Sequence, residues 1–151
     1  MITALVLLGA NLGRRERTLA AAVKGLRGLR GVKVERVSRL FETAPVGPSS
    51  EPYLNQAVRL RTSRTPIGLL VEFKALEAAA GRRPGKRWGA RLLDVDLVEY
   101  GNARLRTPWL TLPHPEMPRR QFAAGPLGDV SSAWRRRYSA MKPDPLQARI
   151  Y

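Results

Sequence analysis

Between residues 2 and 100 the apolar side chains switch between the two-residue spacing of a strand and the three-to-four-residue spacing of a helix. The run Ile-Thr-Ala-Leu-Val-Leu-Leu at 2–8 reads as a buried strand, and Gly9-Ala10-Asn11-Leu12-Gly13 reads as the turn after it, with Asn11 capping the backbone there. Leu19, Val23, Leu26 and Leu29 form one stripe of an amphipathic helix from about Arg15 to Leu29. Val32 to Phe41 alternates β-branched and charged residues as a strand does, and a slip of phase near Glu35–Arg36 predicts a bulge. Tyr53 to Thr62 alternates again, with Leu54, Val58 and Leu60 on one side and Tyr53, Asn55 and Ala57 on the other. Thr65 as N-cap and Pro66 at the first helical position open a second helix, and Gly81 closes it. Leu92 to Tyr100 is the last strand of the set. The order is βαββαβ, which predicts an α+β, ferredoxin-like fold: an antiparallel sheet with two helices packed on one face. About 50 residues follow, with one short helix expected near Phe122–Leu127 and the remainder expected to wrap the sheet edge or carry ligand contacts.

Chain length supports one domain over residues 1–151. The absence of cysteine excludes disulfides, thiolate metal sites and a cysteine nucleophile, and a single histidine excludes sites that need several. No apolar run has the length of a membrane span, and the N-terminus lacks a signal-peptide pattern, so a soluble, cytoplasmic protein is expected with no membrane partner. The net charge of +15 suits an anionic partner, either nucleic acid or a phosphorylated small molecule. Part of it gathers in one glycine- and proline-bearing loop, as Arg82, Arg83, Lys86, Arg87 and Arg91 with no acid among them. A second cluster, Arg135–Arg137, has no assigned role.

The segment Arg91-Leu92-Leu93-Asp94-Val95-Asp96-Leu97-Val98 carries the most chemistry. On a strand, Leu93, Val95 and Leu97 face a core while Asp94 and Asp96 share the other side, roughly 6–7 Å apart along the backbone. Two like charges that close repel, and a hard cation relieves the repulsion. Mg²⁺ takes one or two carboxylates together with substrate phosphates, which the adjoining basic loop is suited to embrace. The plain alternative is two unlinked acids on a solvent face. The chain has neither a GxxxxGK[ST] loop nor a GxGxxG loop, so a phosphoryl-transfer enzyme of this sequence belongs to neither common class.

Several strings together resemble the 6-hydroxymethyl-7,8-dihydropterin pyrophosphokinase family of folate biosynthesis. They are Leu8-Gly9-Ala10-Asn11-Leu12-Gly13, Thr43-Ala44-Pro45-Val46-Gly47, Tyr53-Leu54-Asn55, Glu77 with Gly81-Arg82, and Arg87-Trp88-Gly89-Ala90-Arg91-Leu92-Leu93-Asp94-Val95-Asp96. Pro113-His114-Pro115-Glu116-Met117 and Arg120-Gln121-Phe122 complete the set, which runs from about residue 4 to 127 and leaves 131–151 as an atypical tail. The resemblance implies transfer of diphosphate from Mg-ATP to the pterin hydroxymethyl oxygen, with release of AMP. It implies that Asp94 and Asp96 hold two Mg²⁺ ions and that Arg82 and Arg91 stabilise the transferring charge. It implies ATP contacts from Glu77, Lys86, Arg87, Leu97, Thr111, His114 and Arg120. The pterin would stack between Trp88 and Phe122, with Asn55, Thr43 and Val46 reading its polar edge and Tyr53 lining the pocket. A monomer acting on small molecules, without nucleic acid, is the matching expectation. Lys74 and Trp109 depart from the family pattern. The alternatives are a basic ferredoxin-like nucleic-acid-binding module and a degenerate relative that binds nucleotide without transfer; Trp88 and Phe122 would then be core, and His114 a structural loop residue.

Overall fold

The computed structural model describes residues 1–11, 13–43, 52–81, 92–141 and 147–151. Strand β1 spans Ile2–Ala10, helix α1 Arg15–Arg27, β2 Val32–Val37, β3 Phe41–Thr43, β4 Tyr53–Thr62, α2 Pro66–Ala79 and β5 Asp94–Tyr100. These supply the expected βαββαβ order, with the outer second strand divided into β2 and β3. The phase slip is real: the pairing of β2 with β4 shifts between Val34 and Arg36. The division comes at Ser38–Leu40, where the Ser38 hydroxyl accepts the Ala57 N–H at 2.8 Å and stands in for a ladder partner. The second helix starts as its sequence predicts, with the Thr65 side chain accepting the Gly68 N–H and Pro66 in the first turn. Gly81 follows it with φ of +106°, a conformation that disfavours a side chain.

All neighbours in the main sheet are antiparallel, in the order β5-β1-β4-β3 and then a C-terminal strand, β8 (Gln147–Ile150), with β2 also on β4. β1 lies inside the sheet, between β5 and β4, and is its most apolar strand; every residue from Ala4 to Ala10 is buried. Ala4, Val6, Leu8 and Ala10 face a core built with Leu19, Ala22 and Leu26 of α1 and Leu69 and Phe73 of α2. Leu93, Val95 and Leu97 join that core, which leaves Asp94 and Asp96 on the opposite face, as the alternation predicts.

Four expectations are corrected. Gly9 and Ala10 are strand residues, not turn residues, since both pair with β4. The last strand of the unit starts at Asp94 and not at Leu92, and the first helix ends at Arg27 and not near Leu29. The largest correction concerns the tail. Helix α3 (Gln121–Val130), helix α4 (Ser132–Ala140) and strand β8 (Gln147–Ile150) follow a small hairpin of β6 (Leu105–Arg106) and β7 (Thr111–Leu112) and a 3-10 turn at Met117–Arg119. The sheet therefore carries helices on both faces. Ala123, Ala124, Leu127 and Val130 of α3 and Trp134 of α4 bury against Leu5, Leu7, Ala57 and Val98 in a second core. Burial of that apolar stripe offsets Pro126, whose missing N–H and ring cost about 3 kcal/mol inside a helix. Two of the tail arginines also find partners: Arg137 lies over the Trp134 ring at 4.6 Å, and the Arg135 Nε donates to the Gly128 carbonyl at 3.2 Å.

Candidate active site

Helix α3 covers only part of the second sheet face. Leu5, Leu7, Ala57 and Val98 lie beneath it, whereas the continuation of the same face carries Gly9, Tyr53, Asn55, Asp94 and Asp96. The register fixes their arrangement. Gly9 pairs with Asn55 on one side and with Asp94 on the other, and Leu7 pairs with Asp96. Neighbouring strands are about 4.8 Å apart, so the Asn55 and Asp94 backbones stand about 10 Å apart across Gly9. A Cβ at Gly9 would lie 3.2 Å from the Asn55 Oδ1 and 3.7 Å from the Tyr53 Cδ1. The missing side chain leaves a flat floor between an amide and a carboxylate.

On the amide side, Asn55 is buried and its Nδ2 donates to the Thr43 Oγ1 at 3.2 Å. Thr43 pairs with Tyr53, so these three predicted pocket residues converge at one end of β3 and β4. Arg15 ties this end down: its Nη2 donates to the Glu42 Oε2 and its Nη1 to the Pro52 carbonyl, both at 2.8 Å. The two tethered residues flank residues 44–51.

On the carboxylate side, Glu77 of α2 is 2 % exposed and its Oε2 accepts the Val95 N–H at 3.0 Å. That bond holds the outer edge of β5 between the two aspartates. Lys74 donates to the Glu77 Oε1 at 3.2 Å, which gives the departure at 74 a structural reason. Glu77 thus acts on the described residues as an anchor for β5. Burial pushes the Asp96 carboxyl above the ordinary aspartate range, and attraction to His114 when that ring is protonated and to Arg120 only partly offsets it. Burial likewise pushes His114 down, so its imidazole is neutral near pH 7. The His114 Nδ1 accepts the Glu116 N–H at 3.3 Å, which places the ring proton on Nε2, and its backbone N–H is held by the Val98 carbonyl at 2.9 Å. Arg120 pairs with Glu116 at 2.7 Å and lies over the Phe122 ring at 5.9 Å.

Of the predicted site residues, Asp96, His114, Arg120 and Glu77 are therefore electrostatic neighbours, and Asp94 lies two residues from Asp96 on the same strand face. Thr111 sits in β7 opposite Arg106, and the Leu97 side chain is 2 % exposed in the first core, so only its backbone is left for a ligand. Phe122 is partly buried against the second core. Arg82, Lys86, Arg87, Trp88, Arg91 and Val46 lie outside the described residues. Gly9 and Arg15 were missed as site residues. Gly9 carried a signal, a glycine ending the most apolar run, but its two neighbours are set by long-range pairing.

Paired carboxylates, a histidine and an arginine beside a flat floor are groups that suit a transferase handling phosphate. Comparison with known proteins gives this class a family. Residues 5–132 match the family model 7,8-dihydro-6-hydroxymethylpterin-pyrophosphokinase, and the chain belongs to that family of ATP-dependent diphosphotransferases of folate biosynthesis. The 2-amino-4-hydroxy-6-hydroxymethyldihydropteridine pyrophosphokinase of Haemophilus influenzae is 36 % identical over 133 residues, covering 87 % of this chain and 83 % of the relative. The enzyme of the same description from Bacillus subtilis is 34 % identical over 149 residues, covering 98 % and 89 %. A solved HPPK-DHPS chain, crystallised with substrates, superposes with a TM-score of 0.72 at 13 % identity, which speaks for the fold; it covers 92 % of this chain but 43 % of that longer one.

Proposed function

We propose that the protein binds 6-hydroxymethyl-7,8-dihydropterin over Gly9 and ATP across Asp94 and Asp96, and joins them by diphosphoryl transfer. The observation that carries this reading is the register that sets Asn55 and Asp94 on the two sides of Gly9. An amide offers both a donor and an acceptor to the lactam and amino edge of a pterin, and Gly9 lets a flat ring approach the sheet. Tyr53 and Phe122 supply aromatic surface for the ring, and Trp88 and Val46, outside the described residues, are assigned to the same substrate. His114, through Nε2–H, and Arg120 donate to the phosphates.

The hydroxymethyl oxygen attacks the β-phosphorus of ATP. An oxygen–phosphorus bond forms there as the bond to the α–β bridging oxygen breaks; AMP leaves with that electron pair, and the hydroxyl proton passes to solvent. The chain's part is mainly to hold the two substrates in line and to meet developing charge with donors, a role assigned to Arg82 and Arg91, which lie outside the described residues. Asp94 and Asp96 fit Mg²⁺ by their donor chemistry. They are two carboxylates two residues apart on one strand face, and Mg²⁺ takes one or two carboxylates and completes its shell with phosphate and water. When bound there, two Mg²⁺ ions would neutralise phosphate charge. The reading includes a cytoplasmic enzyme working as a monomer on small molecules; no helix among the described residues is long and apolar enough to cross a membrane.

The test is AMP release from Mg-ATP that depends on added 6-hydroxymethyl-7,8-dihydropterin. Asp94→Ala and Asp96→Ala should each lower turnover at least about 100-fold while circular dichroism stays that of the parent. Folded parent protein without pterin-dependent AMP release, or either variant at parental turnover, overturns the reading.

A further inference from the structure

Asn11 follows β1 directly. Leu5, Leu7 and Gly9 lie on the site's face of the sheet and Ala10 on the other, so alternation returns Asn11 to the face of Gly9. The register ends at the Ala10–Leu54 pair, so Asn11 leaves the strand one residue beyond it, and Tyr53 is the residue that precedes Leu54 on β4, at the pterin end of the floor. Asn11 is 9 % exposed, and its Oδ1 is buried without any hydrogen-bond partner.

That orphan removes the expected role. A cap would take a backbone N–H from the following turn, and this side chain takes none. Side-chain donors at this end of the sheet are engaged elsewhere: the Asn55 Nδ2 donates to Thr43, and the Arg15 guanidinium to Glu42 and Pro52. A buried carbonyl oxygen without a donor is costly to the folded chain, and such atoms in native structures call for a water, an ion or a ligand to explain them. Asn11 belongs to a face whose other polar members converge on one floor.

We propose that Asn11 is a further substrate-binding residue, whose side-chain carbonyl accepts a hydrogen bond from an N–H or O–H of the reduced pterin. The proposal rests on the placement of the pterin over Gly9 given above. It makes an unusual demand: the residue opposes stability in the free protein and favours it in the complex.

Asn11→Leu keeps the size of the side chain and removes both polar atoms; Asn11→Ala is the second variant, should the leucine not fold. Thermal unfolding is measured for the free protein and with saturating 6-hydroxymethyl-7,8-dihydropterin, and KM is measured for the pterin and for ATP. The expected result is a free protein at least as stable as the parent, a smaller pterin-induced rise in melting temperature, and a pterin KM raised about tenfold, equivalent to about 1.4 kcal/mol, with ATP KM unchanged. A variant that is less stable when free yet keeps the parental pterin KM overturns the proposal and assigns Asn11 a structural hydrogen bond. A parent that turns over pterin while both variants keep its KM overturns the Asn11 role alone. A parent with neither turnover nor a pterin-induced shift removes the site reading and this proposal together.

Discussion

Replacing Arg15 with methionine tests how the pterin end of the sheet is held. The methionine keeps the length of the stem but loses the donors to Glu42 and to the Pro52 carbonyl, each 2.8 Å away. The two charged side chains are 21 % and 14 % exposed, so solvent screens this pair less than a surface ion pair. A charge-assisted hydrogen bond is worth about 1.5–3 kcal/mol, and the change also strands a half-buried carboxylate, so a loss of about 2–3 kcal/mol is expected. For a chain of this length that lowers the melting temperature by roughly 5–10 °C. Denaturant unfolding of the parent, Arg15→Met, Glu42→Gln and the double variant separates the pair from its parts. The expected coupling is about 1–2 kcal/mol, because once either partner is gone the other contributes little. Arg15→Lys should recover only part of the loss, since one ammonium on a shorter reach does not present the guanidinium's fork to a carboxylate and a carbonyl together. In the enzyme assay the pterin KM should rise more than the ATP KM, because the tethered residues flank 44–51 on the amide side of Gly9. Stabilities that add within about 0.5 kcal/mol, or an ATP KM that rises as much as the pterin KM, refute the reasoning.

Two further outcomes follow from the face covered by α3. Gly125→Ala would set a Cβ 2.6 Å from the Phe41 Cε2; Phe41 is buried, so the helix must shift, and denaturant unfolding should show a loss of about 1–3 kcal/mol. Asp129 meets the Arg39 backbone N–H at 3.0 Å and its guanidinium at 2.9 Å. Burial pushes the Asp129 carboxyl up, but those hydrogen bonds and the arginine's charge outweigh it and hold it below the ordinary aspartate range. A lowered carboxyl contributes stability above its unfolded pKa and loses it as pH falls through the folded value. Asp129→Asn should therefore cost about 1 kcal/mol or less near pH 7, given the exposure of Arg39, and the gap to the parent should close below about pH 4. A gap that stays constant down to pH 2 contradicts the assignment.

Local chemistry made the βαββαβ unit readable. Thr65, Pro66 and Gly81 mark their helix by backbone rules that need no partner, and the alternation of Tyr53–Thr62 sorts each side chain to the face it occupies. The bulge beside Glu35 was visible because a slip of phase is itself a sequence pattern. The tail was harder. A short helix is expected near Phe122–Leu127 and is there, but Pro126 and two glycines weaken its local signal, and only an available apolar sheet face extends it over 121–130. Strand β8 has the same dependence, since a four-residue strand exists only where an edge is waiting for it.

The candidate site divides along the same line. Sequence by itself determined the residue types and their local geometry: two aspartates on one side of a strand, an amide and a tyrosine on one side of another, and no cysteine and too few histidines for other chemistries. Tertiary structure decided which of these meet. The pairing of β1 with both β4 and β5 put Gly9 between Asn55 and Asp94, buried Glu77 against the Val95 N–H, and drew one tether from Arg15 to Glu42 and Pro52. It also left the Asn11 carbonyl without a donor. Each of these joins residues far apart in the chain, and strand register, set by the packing of the whole sheet, carries no signature within either segment alone.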